Sequence, residues 1–264
     1  MKNNLIPYKG KHSISKITAS IIVPQSFLKP EDLFQKINSQ EKFNNYQKKG
    51  LLKATTFNIN NIKNKDFDLS NEETTGFIFE MYNKTGTLQN IFKLENRKEN
   101  QSLISFETRE YNNWNDFKAE IDKNYSEFSD LFEFYIKAIF LNYKDEFKWN
   151  SDEEIPTKKI FNIDSELLNN KFLTSKNGSL LLMSQDTSDK PYPSEERTEI
   201  SFNNDIKRIV IDHQYANSFK DYMSFNKMTE ETNFSTFFEK AHSSNKEMLK
   251  DILTEKTQYL IGLK

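Results

Sequence analysis

His12, His213 and His242 are the only imidazoles in the chain, and there is no cysteine. The absence of cysteine removes disulfides, thiolate metal sites and a cysteine nucleophile together. Glu239 and His242 form one Glu-x-x-His on a helical segment, whereas a di-iron bundle needs two such pairs and further carboxylates. His213 follows Asp212 near the end of a strand-like run, with no second histidine close in sequence. Each histidine therefore reads as a structural or surface residue, and neither a metal nor a cofactor is expected. Gly10, Gly50, Gly76, Gly86, Gly178 and Gly262 stand isolated, so there is no G-x-G-x-x-G turn and no P-loop to wrap phosphates. No serine sits in a G-x-S-x-G elbow, and acidic pairs such as Glu72-Glu73 and Glu195-Glu196 fall in polar stretches. The chemistry-bearing residues thus give no catalytic apparatus, and the expectation is a protein that is not an enzyme.

Binding chemistry is better represented. The segment Tyr215 to Met228 carries Tyr215, Phe219, Tyr222, Met223, Phe225 and Met228 without a clean period. Aromatic residues and methionine punctuated by polar groups suit a partner or dimer interface, and a strand packed on the core is the other reading. Tyr192, in Lys190-Pro191-Tyr192-Pro193, is a second interface candidate. Lysine clusters occur at Lys9 to Lys11, Lys48-Lys49, Lys63 to Lys65 and Lys158-Lys159. The net charge is −2 and the only arginines are Arg97, Arg109, Arg197 and Arg208, so no basic stripe favours nucleic acid, although an AT-rich genome would also deplete arginine.

These residues need elements to position them. Ile17 to Val23 alternates as a strand with Ile17, Ala19, Ile21 and Val23 on one face, and Pro30 opens a short helix whose buried side is Leu33, Phe34 and Ile37. Strand-like runs follow at Leu51 to Ile59, Gly76 to Tyr82, Leu88 to Glu95 and Ser102 to Tyr111. Asn113 caps a helix with the stripe Trp114, Phe117, Ile121, Tyr125, Phe128 and Phe132. A strand at Phe134 to Phe147 and a short helix at Asp164 to Phe172 come next, then strands at Ser179 to Ser184, Arg197 to Phe202 and Ile206 to Tyr215. A last helix spans Phe234 to Leu253, Thr254 recaps the chain, and Gly262 marks a helix end.

The expectation is an α+β fold of two similar halves, 1–132 and 133–264, best treated as one globular unit. Each half reads as strand, short helix, antiparallel strands and long helix, joined into one curved sheet with the helices on one face. That order suggests a TATA-binding-protein-like or helix-grip-like arrangement. The N-terminal residues hold no apolar run of signal-peptide length and no stretch reaches ~18 apolar residues, so a cytoplasmic location is expected.

The order of landmarks resembles a sporadically distributed bacterial family of uncharacterised proteins. The resemblance rests on the strand Ile17–Val23 with its proline turn, on Tyr111-x-x-Trp114-x-x-Phe117, on Tyr135 to Tyr143 with Ile155-Pro156, and on Arg208-Ile209-Val210-Ile211-Asp212. It extends to the C-terminal His242, Ile252-Leu253-Thr254-Glu255 and Gly262. Where that family's strand after the central helix carries arginine, Lys137 and Asn142 stand here. Of these landmarks Trp114, Phe117, Asp212, His242, Thr254 and Gly262 read as structural. The resemblance implies a fold and no reaction. The family's patchy occurrence, like that of mobile defence genes, implies a non-enzymatic accessory or scaffolding homodimer that supports a larger protein such as a CRISPR effector nuclease. The alternative is a nucleic-acid or small-ligand binding sensor or antitoxin.

Overall fold

The computed structural model describes residues 4–61, 66–97, 100–188, 192–230 and 233–263. Its centre is strand β2 (Ile14–Val23), which follows β1 (Leu5–Pro7) and buries Ser15, Ile17, Ala19, Ile21 and Val23 at alternate positions. Helix α1 (Pro30–Asn38), with proline in its first turn, leads through a 3-10 turn at Glu41–Asn45 into β3 (Lys48–Asn61), β4 (Asp66–Tyr82), β5 (Leu88–Arg97) and β6 (Gln101–Thr108). Helix α2 (Trp114–Ser129) begins at Asn113, whose side chain accepts the Asp116 N–H at 3.0 Å. Then come β7 (Tyr135–Trp149), α3 (Thr157–Ile160), α4 (Asn170–Thr174), β8 (Gly178–Asp186), β9 (Ser194–Asn203), β10 (Arg208–Ser224), α5 (Phe225–Glu230), α6 (Asn233–Ile252) and α7 (Glu255–Leu260).

Among the described residues, all ten strands join one antiparallel sheet in the order β3-β4-β5-β6-β2-β7-β10-β9-β8, with β1 also on β7. The inward side chains form two apolar clusters. One joins β2 and β4–β7 to α1, α2, α5 and the first half of α6 through Phe77, Phe79, Phe92, Phe128 and Phe134. The other joins β7, β9 and β10 to α3, α4 and the second half of α6 through Phe147, Phe161, Phe172 and Ile252. Tyr125 of α2 is fully buried, and its hydroxyl donates to the Ala19 carbonyl at 2.8 Å, pinning the helix to the sheet centre. No described helix is long and apolar enough to cross a membrane.

The expected two similar strand–helix halves are not what the chain forms. A single large antiparallel sheet dominates, its helices are few and short apart from α2 and α6, and its flanks differ. One flank ends in the long β3–β4 ribbon, paired from Lys48↔Glu80 to Asn61↔Asp66, while the other ends in the nine-residue β8. The short helix expected at 164–172 is replaced by two separate turns of helix, α3 and α4. Between them Asn162 folds back on itself, accepting the Asp164 N–H at 3.2 Å, and the Ser165 hydroxyl donates to Asp251 at 2.5 Å. Gly76 marks where β4 leaves β5: an added Cβ would clash with the Leu94 carbonyl oxygen and lie 2.9 Å from Glu95 Cα. We therefore expect Gly76→Ala to destabilise the protein by about 2–4 kcal/mol in urea unfolding.

Candidate functional site

β1 and β2 lie along the same edge of β7, but the chain between them leaves the sheet. The Tyr8 N–H donates to the Glu146 carbonyl at 3.0 Å and the Glu146 N–H donates to the Ser13 carbonyl at 2.8 Å. Lys9-Gly10-Lys11-His12 is therefore looped out opposite a single residue of β7. Gly10 makes this possible with φ +74°, where a side chain would be strained. The register slips again between Ile14 and Lys16, a bulge of the kind that re-aims side chains next to functional sites.

Beneath this loop the alternation of β7 points Tyr143 and Asp145 inward between Leu141 and Phe147. Asp145 is 1 % exposed, and its Oδ1 accepts the Ser13 hydroxyl at 2.6 Å. Burial raises its pKa to about 7; the Ser13 bond opposes the rise and the Asp212 charge adds to it. Tyr143 Oη and His242 Nδ1 lie 2.6 Å apart, and the imidazole stacks on Trp114 at 4.2 Å between centroids with planes 6° apart. Burial lowers the His242 pKa to about 4, Lys246 lowers it further and Glu239 opposes. A neutral imidazole that accepts the Tyr143 proton at Nδ1 carries its own proton on Nε2. Glu239, one turn back on α6, accepts both the Trp114 indole N–H at 2.9 Å and the Lys118 ammonium at 2.7 Å, clamping the start of α2 to α6.

These side chains enclose a half-open cavity of 620 Å³ where the two apolar clusters meet, between the Lys9–His12 loop, the start of α2, the middle of α6 and the C-terminal Ile261-Gly262-Leu263. Four of its lining residues carry a buried polar atom without a hydrogen-bond partner among the described residues: His12 Nδ1, Asp145 Oδ2, His242 Nε2 and Asn245 Oδ1. Lys9, Lys11 and Lys246 stand at the mouth. Burial and the Lys9 charge lower the His12 pKa, so His12 is held neutral as well. A smaller cavity of 240 Å³ on the other side of Tyr111 is lined by Glu110, Asp116 and Glu120 and holds one such atom, Asn90 Oδ1. Polar chemistry concentrates in the larger one. No group of three or more His, Asp or Glu placed to hold a metal ion occurs among the described residues.

Of the sequence landmarks, Trp114, His242 and Gly262 meet in this cavity. Gly262 takes φ +73°, and Phe117 packs just behind, stacked on Phe106. Asp212 lies on the opposite face, accepting the Asn142 amide at 2.7 Å, and the Thr254 hydroxyl ties α7 to the Lys159 carbonyl at 3.1 Å. The interface candidates do not gather on the surface. Tyr215, Phe219, Phe225 and Met228 are buried, Met223 packs on the core, and Tyr192 stacks edge-on against Phe219 and Phe237. Tyr222 alone of the set is exposed. Lys63 to Lys65 lie outside the described residues, as do Lys190 and Pro191. His213 is fully buried beside Tyr143, 3.5 Å from Glu196, whose pKa it lowers. Asp145, Ser13 and Asn245 did not stand out as site residues, although an aspartate at an inward position of an alternating strand is a signal the sequence contains.

The chain matches no protein-family model, no curated protein and no solved structure.

Asp145 and His242 make opposite contributions to stability as pH changes. Between about pH 4 and 6.5 folded Asp145 keeps a proton that the unfolded chain has lost, so its contribution falls by ~1.4 kcal/mol per pH unit as pH rises. Over the same window folded His242 lacks a proton that the unfolded chain holds, so its contribution rises by a similar amount. The two nearly cancel. Relative to the unmutated protein, Asp145→Asn should make stability rise with pH across this window, and His242→Asn should make it fall. Urea midpoints at half-unit pH steps read both; parallel curves for all three proteins would contradict the assignment.

Proposed function

We propose that the chain is a ligand-binding module, a sensor rather than an enzyme, that takes a small polar molecule into the cleft beneath the Lys9–His12 loop. One observation carries this reading: Asp145, His242 and Asn245, each more than nine-tenths buried, all present an unpartnered polar atom to the same cavity. A buried polar group without a partner costs about 1–3 kcal/mol, so three in one place are expensive to keep unless something returns the bonds. The cavity volume lies in the range of small-molecule sites.

Two features favour binding over catalysis. The Ser13 hydroxyl donates to Asp145 and bonds no histidine among the described residues, so the Ser–His pairing that activates a serine nucleophile is not formed there. Nδ1 of His242 is occupied by Tyr143, and its low pKa makes it a poor proton acceptor. Extended nucleic acid is disfavoured by the charges on the outer sheet face, which neutralise one another. Lys16 and Arg109 pair with Glu107, Lys144 and Arg208 with Glu146, and Lys93 with Glu95.

Thermal-shift screening of the purified chain against amino acids, sugars, nucleotides and organic acids tests the proposal, with Asn245→Leu as control. A binder should raise the melting temperature of the unmutated protein by several degrees and that of the variant by much less. If every compound leaves both proteins alike, the reading fails.

A second reading, the accessory protein implied by the family resemblance, finds support elsewhere. The edge strand β8 exposes Leu181 (50 %) and Met183 (64 %) along an edge that pairs with no other strand among the described residues, an invitation to a partner strand. Under this reading, a Leu181→Lys, Met183→Glu double variant should convert a self-associated or partner-bound species to monomer in sedimentation velocity without altering the circular dichroism spectrum. An unmutated protein that sediments as a monomer with and without candidate defence nucleases contradicts it.

A further inference from the structure

The polar groups of the cleft are sorted by charge along its depth, and the order matches one chemistry. At the mouth stand three primary amines. Lys9 reaches Glu110 at 3.4 Å, but Lys11 and Lys246 are exposed and form no ion pair with a described residue. The same mouth holds the start of the sixteen-residue helix α2, where Asn112, Asn113 and Trp114 line the wall. Its first backbone N–H groups face outward at the positive end of the helix dipole. Amines and a helix start together favour an anion, and the buried unpartnered atoms supply the independent sign that a ligand belongs here.

The interior is different. Asn245 Oδ1 is an acceptor, Asp145 Oδ2 accepts when the carboxyl is ionised and donates when it holds a proton, and His12 Nδ1 and His242 Nε2 find no partner among the described residues. A floor that offers an amide oxygen beside a carboxyl able to accept or donate asks for a ligand whose inner end carries N–H groups next to an acceptor, the pattern of a nucleobase edge. The walls of that floor are the planar rings of Tyr111 and Trp114, the latter already stacked on His242. A flat, nitrogen-rich ring with N–H donors at one end and a multiply charged anion at the other describes a phosphorylated nucleoside. The sequence lacks a glycine-rich phosphate turn; here the loop Lys9-Gly10-Lys11-His12, pushed out of the sheet opposite Glu146, supplies cations instead of clustered backbone amides.

Building on the ligand-binding reading above, we infer that the cleft is a nucleotide site. The phosphate lies among Lys9, Lys11 and Lys246, and the base lies on the floor formed by Asp145 and Asn245 between Tyr111 and Trp114.

Isothermal titration of the full chain with GMP, AMP, UMP, guanosine, adenosine and inorganic phosphate tests this. At least one nucleotide should bind about ten-fold or more tighter than both its own nucleoside and phosphate alone. A Lys11→Glu, Lys246→Glu variant changes only exposed side chains and should fold normally. It should weaken the nucleotide about ten-fold or more while leaving the nucleoside within about two-fold. Asn245→Leu should weaken nucleotide and nucleoside together. Phosphate binding as tightly as the best nucleotide would overturn the inference in favour of a bare anion site. So would a nucleotide affinity unmoved by the lysine reversals, or no nucleotide binding at all. In that last case a compound of another class that stabilises the unmutated protein but not Asn245→Leu would leave the ligand-binding reading standing, whereas a blank screen would remove both.

Discussion

The structure turns on one constraint: a carboxyl group, Asp145, is held under the middle of a ten-stranded sheet with half of its hydrogen-bonding capacity unused. Everything nearby accommodates it. The neighbouring strand breaks and loops out, Ser13 swings in to satisfy one oxygen, and the apolar filling divides into two clusters, one on each side. Keeping the polar group there sacrifices packing, a pattern typical of sites that handle a ligand.

The same logic explains the contacts between α2 and α6. Trp114 and Lys118 on α2 share Glu239 on α6, and the indole face lies flat on His242. The cavity wall therefore consists of side chains whose rotamers are fixed by their neighbours. A ligand entering such a site loses little freedom in the protein, which favours affinity from few contacts. The C-terminal turn through Gly262 closes the remaining side, its positive φ bringing the chain back past the Lys11 carbonyl.

Much of the local architecture was legible in the sequence. The alternation of Ile17, Ala19, Ile21 and Val23 marks β2, the Asn113 cap marks α2, and the stripe from Phe234 to Ile252 marks α6. The failures have physical causes. The aromatic stretch after Tyr215 loses its period because β10 shifts register between Ser218 and Met223, so the residues alone left a core strand and a surface segment as equal readings. The first half of β4, rich in polar residues, has no alternation to betray it. Two similar halves were inferred from a repeated order of elements, but element order does not determine strand neighbours, and here every strand joins one unequal sheet. The site was hidden for a related reason. Its parts come from residues 9–14, 111–114, 143–145, 242–249 and 261–263, and they meet only through the pairing of β1 and β2 with β7 and the packing of α2 against α6. Asp145 was the one clue available without tertiary knowledge: an acid where the strand's alternation demands an apolar residue.

The central claim is that Asp145 is a buried carboxyl, protonated near neutrality and open to a ligand. The most direct measurement is a carbon-detected NMR titration of the aspartate side-chain carboxyls, with the Asp145 signal assigned by its loss in Asp145→Asn. The account predicts a midpoint near 7 in the free protein. A midpoint at or below the ordinary aspartate value of about 3.9 would show a fully solvated or fully paired carboxylate, and would contradict the account.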